Sequence, residues 1–188
     1  WQYCLSESFV GDKYPKLPLY VSFLYQQSVV PLVRGLKFGG KRELGMLIGT
    51  LLSKCMMSDS VDADLIIPIP LSEKRLRERT YNQAGVIASV CAMNLHIPYA
   101  EDVLVRNRNT NKQAECKTNE ERYTNIMNAF SMNESWDVSE LRIILVDDVV
   151  TTGNTMHEAA TVLLDAGAKA VLCCAFASNR LVKNGDCY

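Results

Sequence analysis

The 188-residue chain lacks most of the features that reveal a function class early. Its 20 Lys and Arg are balanced by 21 Asp and Glu, so the net charge is −1 and composition gives no reason to expect a general nucleic-acid binder. No apolar run approaches the length of a membrane span, and the first residues lack the charged-then-apolar pattern of a secretory signal. Trp1 in place of Met points to a trimmed or processed chain. The seven cysteines are an odd number and never occur as Cys-x-x-Cys, which argues against a secreted disulfide framework. Cys173 and Cys174 lie in an apolar run and read as buried thiols. A cytoplasmic location is expected. The two histidines, His96 and His157, have no partner pattern for metal or triad chemistry and read as structural. There is no internal repeat and no low-complexity segment.

What is present is a hydrophobic content of 48%, enough for a sizeable core, distributed in alternating patterns. Residues 1–18 are polar, contain Gly11, Pro15 and Pro18, and read as loop or extended chain. Residues 20–38 hold apolar and aromatic positions at mixed spacing. Residues 41–57 form an amphipathic helix pattern with Leu44, Leu47, Ile48, Leu51 and Leu52 on one face. A short strand follows at 64–70, a helix at 83–95 and a further strand at 99–105. Residues 107–122 are polar, have no apolar period and are expected to be a mobile loop. The chain closes with a strand at 142–147, a helix at 155–166 ended by Gly167, and a strand at 169–177. Strands alternating with helices imply an α/β fold with a parallel sheet.

One stretch concentrates the chemistry. An apolar strand ends in Asp147 and Asp148, and Val149, Val150, Thr151, Thr152, Gly153, Asn154 and Thr155 lead into a helix. Ligands of open α/β sheets bind at the carboxyl ends of strands. The turn and helix start offer free N–H groups that suit a phosphate, Gly153 permits close backbone approach, and adjacent carboxylates accept from a vicinal diol. A sugar phosphate needs that combination. The competing reading is a strand end with a helix cap, in which Asp148 and the threonines serve only the turn. A second cluster follows the strand at 64–70: Leu71, Ser72, Lys74, Arg75, Arg77, Arg79, Tyr81, Asn82 and Gln83. It reads either as an anion site or as a solvated basic helix start, and for Arg77 the solvated reading is preferred.

The string Leu145 to Thr155 resembles the signature of type I phosphoribosyltransferases, which bind phosphoribosyl pyrophosphate (PRPP). Pro68-Ile69-Pro70-Leu71-Ser72, with Arg75, Arg79, Tyr81, Asn82 and Gln83, resembles the ComF/GntX branch, which is linked to natural competence and DNA uptake. Gly35 to Gly40, and Lys112-Gln113 with Arg122, Asn125, Ala129 and Phe130, agree with that branch, so the resemblance covers roughly residues 20–178. It implies a type I phosphoribosyltransferase-like parallel sheet flanked by helices, with an N-terminal extension and hood at 1–57 and a core at 58–188.

The resemblance also implies roles. Asp147 and Asp148 hold the ribose hydroxyls, steady developing positive charge, and help to place Mg²⁺ through ribose or water. Val150, Thr151, Thr152, Gly153, Asn154 and Thr155 wrap the 5′-phosphate. Leu71, Ser72, Arg75, Arg79 and Asn82 hold pyrophosphate, and a flexible loop contributes Gln113 and Arg122. Three functions follow from it: phosphoribosyl transfer; a non-catalytic competence factor that binds single-stranded DNA through Lys74 to Arg79 and Tyr81, or works with a DNA-uptake helicase or strand-loading protein; and a PRPP sensor. No membrane insertion is expected, and the oligomeric state is open.

The chain departs from the family pattern in three places. The usual Cys-x-x-Cys zinc module is reduced to Cys4, so no zinc is expected. Thr80 stands where a glycine is usual, so that turn is expected to differ. Cys116 stands where a leucine is usual.

Overall fold

The computed structural model describes residues 2–4, 17–107 and 129–179. A five-stranded sheet has the order β1-β2-β7-β6-β3, formed by β1 (Gln2–Cys4), β2 (Pro18–Leu24), β7 (Ala170–Ser178), β6 (Arg142–Val150) and β3 (Leu65–Pro68). β1 is the antiparallel edge, and the other pairings are parallel. The short β4 (Leu104–Arg106) and β5 (Phe130–Met132) form a separate antiparallel ribbon.

Alternation along β6 divides the core into two. Ile144 and Val146 pack with Val33 and Leu36 of α1 (Val29–Phe38), Ile48 and Leu52 of α2 (Arg42–Ser58), and Ile87 and Cys91 of α4 (Gln83–Leu95). Ile143 and Leu145 pack on the other face with Met156, Ala159 and Leu163 of α5 (Asn154–Asp165) and with Leu104 and Phe130 of the ribbon. With both faces covered, the parallel strands read as continuous apolar runs, which explains the sequence pattern at 142–147 and 169–177. Among the described residues no helix is long and apolar enough to cross a membrane.

The expected helices at 41–57, 83–95 and 155–166 are found within a residue of those bounds. Elsewhere the structure differs. The N-terminal region expected as a hood supplies β2 to the main sheet, paired with β7 from Leu19↔Cys173 to Leu24↔Ser178, and its helices share a core with Ile66 and Ile144. Its mixed spacing reflects a strand followed directly by a helix. The strand expected at 99–105 reduces to β4, because Pro98 has no N–H for a ladder and Tyr99 makes only one bridge to Ile66. The loop expected at 107–122 lies, beyond Asn107, outside the described residues.

Helices α2 and α4 meet through glycine. A Cβ on Gly49 would fall 2.8 Å from the Ile87 carbonyl oxygen and from Val90, so only glycine permits this approach. At the far edge of the sheet, Arg142 ties the start of β6 to β3. Its Nη2 and Nε donate to the Asp64 carboxylate at 2.7 and 3.0 Å, its backbone N–H donates to the same group at 2.8 Å, and Asp62 is a further partner. These bonds hold the Asp64 carboxyl down to about 2, below its ordinary 3.8.

A depressed carboxyl stabilises the fold above its unfolded value and loses that effect as pH falls through the folded one. Asp64→Asn therefore lowers Tm at neutral pH, and the gap to the unmutated protein closes as pH is taken from about 4 to about 2. Thermal scans across that range check this; a gap independent of pH contradicts it.

Candidate functional site

β6 outlasts its neighbour. The expectation that the acids end the strand is corrected by the pairing with β7, which runs on to Val150↔Ser178. β3, on the other side, pairs only as far as Pro68↔Val146, and one more bond joins the Ile69 N–H to the Val146 carbonyl at 2.9 Å. Pro70 then turns the chain away. Asp147 and Asp148 thus lie on β6 just past the end of β3, where one flank of the strand opens into a cleft of about 350 Å³.

Alternation sends the two acids in opposite directions. Asp148 follows Ile144 and Val146 toward α1, where Lys37 Nζ lies 2.9 Å from its Oδ1. That carboxylate is 7% exposed. Asp147 follows Ile143 and Leu145 toward the ribbon, where Arg106 ends β4, and its Oδ1 accepts from the Asp148 N–H at 2.8 Å. Burial first, and the charge of Asp148 second, push the Asp147 carboxyl above the usual carboxylate range; the hydrogen bond from the Asp148 N–H, then Lys37 and Arg106, oppose that rise.

Beyond the acids, Thr151 and Thr155 face the cleft. Val150 is buried in the core, so only its backbone is available there. Gly153 has φ +85°, a left-handed conformation that a side chain would strain, and its carbonyl accepts the His157 N–H that opens α5. Thr152, Gly153 and Asn154 complete the turn without lining the cleft. The first amides of α5 have no partner within the helix, and the helix dipole adds partial positive charge there.

The opposite wall follows β3. Ile69 and Leu71 lead into α3 (Glu73–Arg79), whose start is capped by Ser72 Oγ accepting from the Arg75 N–H at 3.4 Å. Ser72 is thus occupied as a cap, whereas Arg75 and Arg79, one helical turn apart, face the cleft. Arg79 Nη1 donates to Gln83 Oε1 at 2.9 Å, and its guanidinium stacks 5.6 Å from the Phe38 ring. Asn82 Nδ2 donates to the Ile69 carbonyl at 3.0 Å, fixing the loop. Arg77 points outward and pairs with Glu73 at 2.8 Å, as preferred from sequence.

Two expectations in this wall are corrected. The turn was expected to differ because of Thr80, yet Thr80 closes α3 in the left-handed region at φ 67°. The cost of that conformation for a β-branched residue, about 1–2 kcal/mol, is borne by the surrounding contacts. Tyr81 is not a stacking surface for a base: it is 7% exposed, and its hydroxyl donates to the Leu36 carbonyl at 2.6 Å. It ties the α3–α4 turn to α1, one residue before Lys37.

The structure brings Leu71, Arg75, Arg79, Asn82, Asp147, Asp148, Thr151 and Thr155 to one cleft. Gln113 and Arg122 lie outside the described residues. Lys37 and Arg106 line the cleft as well and were not expected there. Lys37 stood in the Gly35–Gly40 segment as part of the resemblance only. Arg106 carried no signal, because its place depends on the ribbon. Four cations, Lys37, Arg75, Arg79 and Arg106, thus face two carboxylates, a balance that suits a polyanion bearing hydroxyls.

Removing one member of a largely buried ion pair leaves the other uncompensated. Lys37→Met is expected to cost about 2 kcal/mol of stability. The double variant Lys37→Met/Asp148→Asn should lose clearly less than the sum of the two single changes. Denaturant titration of the four proteins checks this; strict additivity contradicts the pairing.

Known proteins resemble this chain in sequence and in fold. Residues 82–184 match the phosphoribosyl transferase domain family. The DNA utilization protein YhgH of Escherichia coli K12 is 31% identical over 156 residues, 78% of this chain and 66% of that protein. Competence protein F of Haemophilus influenzae is 34% identical over 109 residues, 57% of this chain and 47% of that protein. Competence protein ComFC of Bacillus subtilis is 36% identical over 106 residues, 56% of this chain and 40% of that protein. The chain therefore spans about two thirds of the first relative and less than half of the other two. Among solved structures, the glutamine PRPP amidotransferase from B. subtilis, complexed with ADP and GMP, superposes with a TM-score of 0.51 at 21% identity, covering 70% of this chain and 26% of that one, a likeness of fold. The chain belongs to the phosphoribosyl transferase domain family and, within it, to the ComF branch of competence and DNA-utilization proteins.

Proposed function

We propose that this chain binds PRPP in the cleft at the end of β6 and acts as a phosphoribosyltransferase in competence-linked DNA uptake. The observation that carries the reading is the set of groups that converge on one cleft. Loop amides and the Thr151 and Thr155 hydroxyls suit a 5′-phosphate. Asp147 and Asp148 suit a ribose diol. Arg75, Arg79 and the backbone near Leu71 suit a pyrophosphate. PRPP has these three parts.

The donor set also fits Mg²⁺. This cation commonly uses one or two protein carboxylates and takes its remaining ligands from water and substrate phosphates. Among the described residues no group of three or more acidic, His or Cys side chains is present, so a cage made of protein alone is not offered. Asp148 is engaged by Lys37, which leaves Asp147 as the better placed carboxylate, acting through ribose or water. Bound there, the ion would neutralise pyrophosphate charge. The chain's own residues do the rest. The acids orient the ribose and stabilise positive charge growing at its C1. Arg75 and Arg79 stabilise negative charge on the departing pyrophosphate. The free buried thiols Cys91, Cys173 and Cys174 fit a cytoplasmic protein.

A second reading is a PRPP sensor or competence factor without turnover that contacts single-stranded DNA, a DNA-uptake helicase or a strand-loading protein. One surface feature favours it. Phe38 is 76% exposed beside Arg79, at the edge of the cleft, and offers the stacking surface that buried Tyr81 does not.

The double variant Asp147→Asn/Asp148→Asn should keep its fold and lose PRPP affinity by about 100-fold or more, since it loses two charge-assisted acceptors. PRPP-induced thermal shifts check this. Equal shifts in a folded variant would remove the acid pair from the site.

A further inference from the structure

We infer that Gln83 is a positioning residue for the anion site: it holds the Arg79 guanidinium at the cleft and so sets the affinity for the diphosphate end of the ligand. The inference rests on the PRPP reading and adds to it a residue with no part in that reading.

Gln83 is polar where burial favours an apolar side chain. It is the first residue of α4, lines the cleft wall and is 1% exposed. A buried amide is costly unless its two ends are hydrogen-bonded, and here both are. Gln83 Oε1 accepts from Arg79 Nη1 at 2.9 Å, and Gln83 Nε2 donates to the Tyr81 carbonyl at 3.2 Å. Both partners belong to the segment that joins α3 to α4. An apolar residue of similar size would fill the space without desolvating an amide. What it would not supply is an acceptor for Arg79.

The preceding residue anchors this bond to the sheet. Asn82 Nδ2 donates to the Ile69 carbonyl at 3.0 Å, just past the end of β3, and the Ile69 N–H donates to the Val146 carbonyl of β6 at 2.9 Å. Bonds and adjacent residues therefore lead from β6, one residue before Asp147, through Ile69 and Asn82 to Gln83 and Arg79. The place of Arg79 relative to the acids follows from the sheet. On its other side the guanidinium rests against the Phe38 ring, and that ring is 76% exposed, so the stacking contact by itself restrains Arg79 weakly.

A neutral amide suits this task. A long side chain loses rotamer freedom when it grips an anion, and Gln83 removes part of that freedom before the ligand arrives. A guanidinium has five N–H donors, and the bond to Gln83 takes one of them. A carboxylate at position 83 would also fix Arg79 but would cancel its charge. Arg77 is the contrast: on the outer face of α3 its charge is offset by Glu73.

The test is a double-mutant cycle read in ligand affinity. The intact chain, Gln83→Met, Arg79→Gln and the double variant are titrated with inorganic pyrophosphate, ribose 5-phosphate and PRPP. Gln83→Met should weaken pyrophosphate and PRPP binding roughly 10-fold and leave ribose 5-phosphate within about twofold. In the Arg79→Gln background the same change should weaken pyrophosphate by less than about twofold more, because Gln83 acts through that arginine. Independently of any variant's folding, the Gln83 side-chain amide resonances of the unmutated protein should shift at saturating pyrophosphate and not with ribose 5-phosphate. Unchanged pyrophosphate affinity in folded Gln83→Met, an equal loss for ribose 5-phosphate, a full loss that persists in the Arg79→Gln background, or amide resonances insensitive to pyrophosphate would overturn the assignment. If the unmutated chain binds ribose 5-phosphate but not pyrophosphate, the role of Gln83 alone fails. If it binds none of the three ligands, the PRPP reading fails and takes the role of Gln83 with it.

Discussion

The site depends on one mismatch in the sheet: β6 runs on beyond the end of β3. From Ile143 to Val146 the strand has neighbours on both sides and helices on both faces, and every side chain is apolar. One residue later the β3 side is open, and the next two side chains are carboxylic acids. Strand geometry then gives them different surroundings. Asp148 turns to α1 and meets Lys37; Asp147 turns to the ribbon and the field of Arg106. The two acids still repel, which together with burial raises the Asp147 carboxyl, and each is partly offset by a cation from a separate segment of the chain.

The same constraint explains why distant segments converge. Lys37 reaches Asp148 because α1 lies on the sheet face to which even-numbered residues of β6 point, packed through Val33 and Leu36. Tyr81 fastens the α3–α4 turn to the Leu36 carbonyl, which brings Arg79 beside Phe38 and toward the cleft. The strained Thr80 turn stands in that connection, at the point where the chain must reverse to aim Arg75 and Arg79 at the acids. Stability and site geometry are therefore coupled in this wall: the contacts that hold Thr80 in its unfavourable conformation also place the arginines.

Much of this was legible in the sequence where local pattern decides. The helix at 41–57 announces itself by its apolar face and the two long strands by continuous apolar runs, and the Asp-Asp-Val-Val-Thr-Thr-Gly-Asn-Thr string carries its own chemistry. What could not be read there depends on pairing partners. The length of β6 past Asp148 is set by β7, and Val149 and Val150 look the same in a strand or a turn. The place of residues 18–24 in the sheet is set by β7 as well. Lys37 and Arg106 are unremarkable in sequence, because what makes each one matter is an acid far along the chain. Tyr81 looked like a surface aromatic in a basic segment, and only the packing of α1 reveals that it is buried.

Calorimetric titration of the intact chain with PRPP, with and without Mg²⁺, tests the central claim most directly. Saturable micromolar binding that weakens sharply when Mg²⁺ is withheld is the expected result. No measurable binding at millimolar PRPP with Mg²⁺ present would contradict it, and would leave the cleft as a retained scaffold in a protein that acts through other contacts.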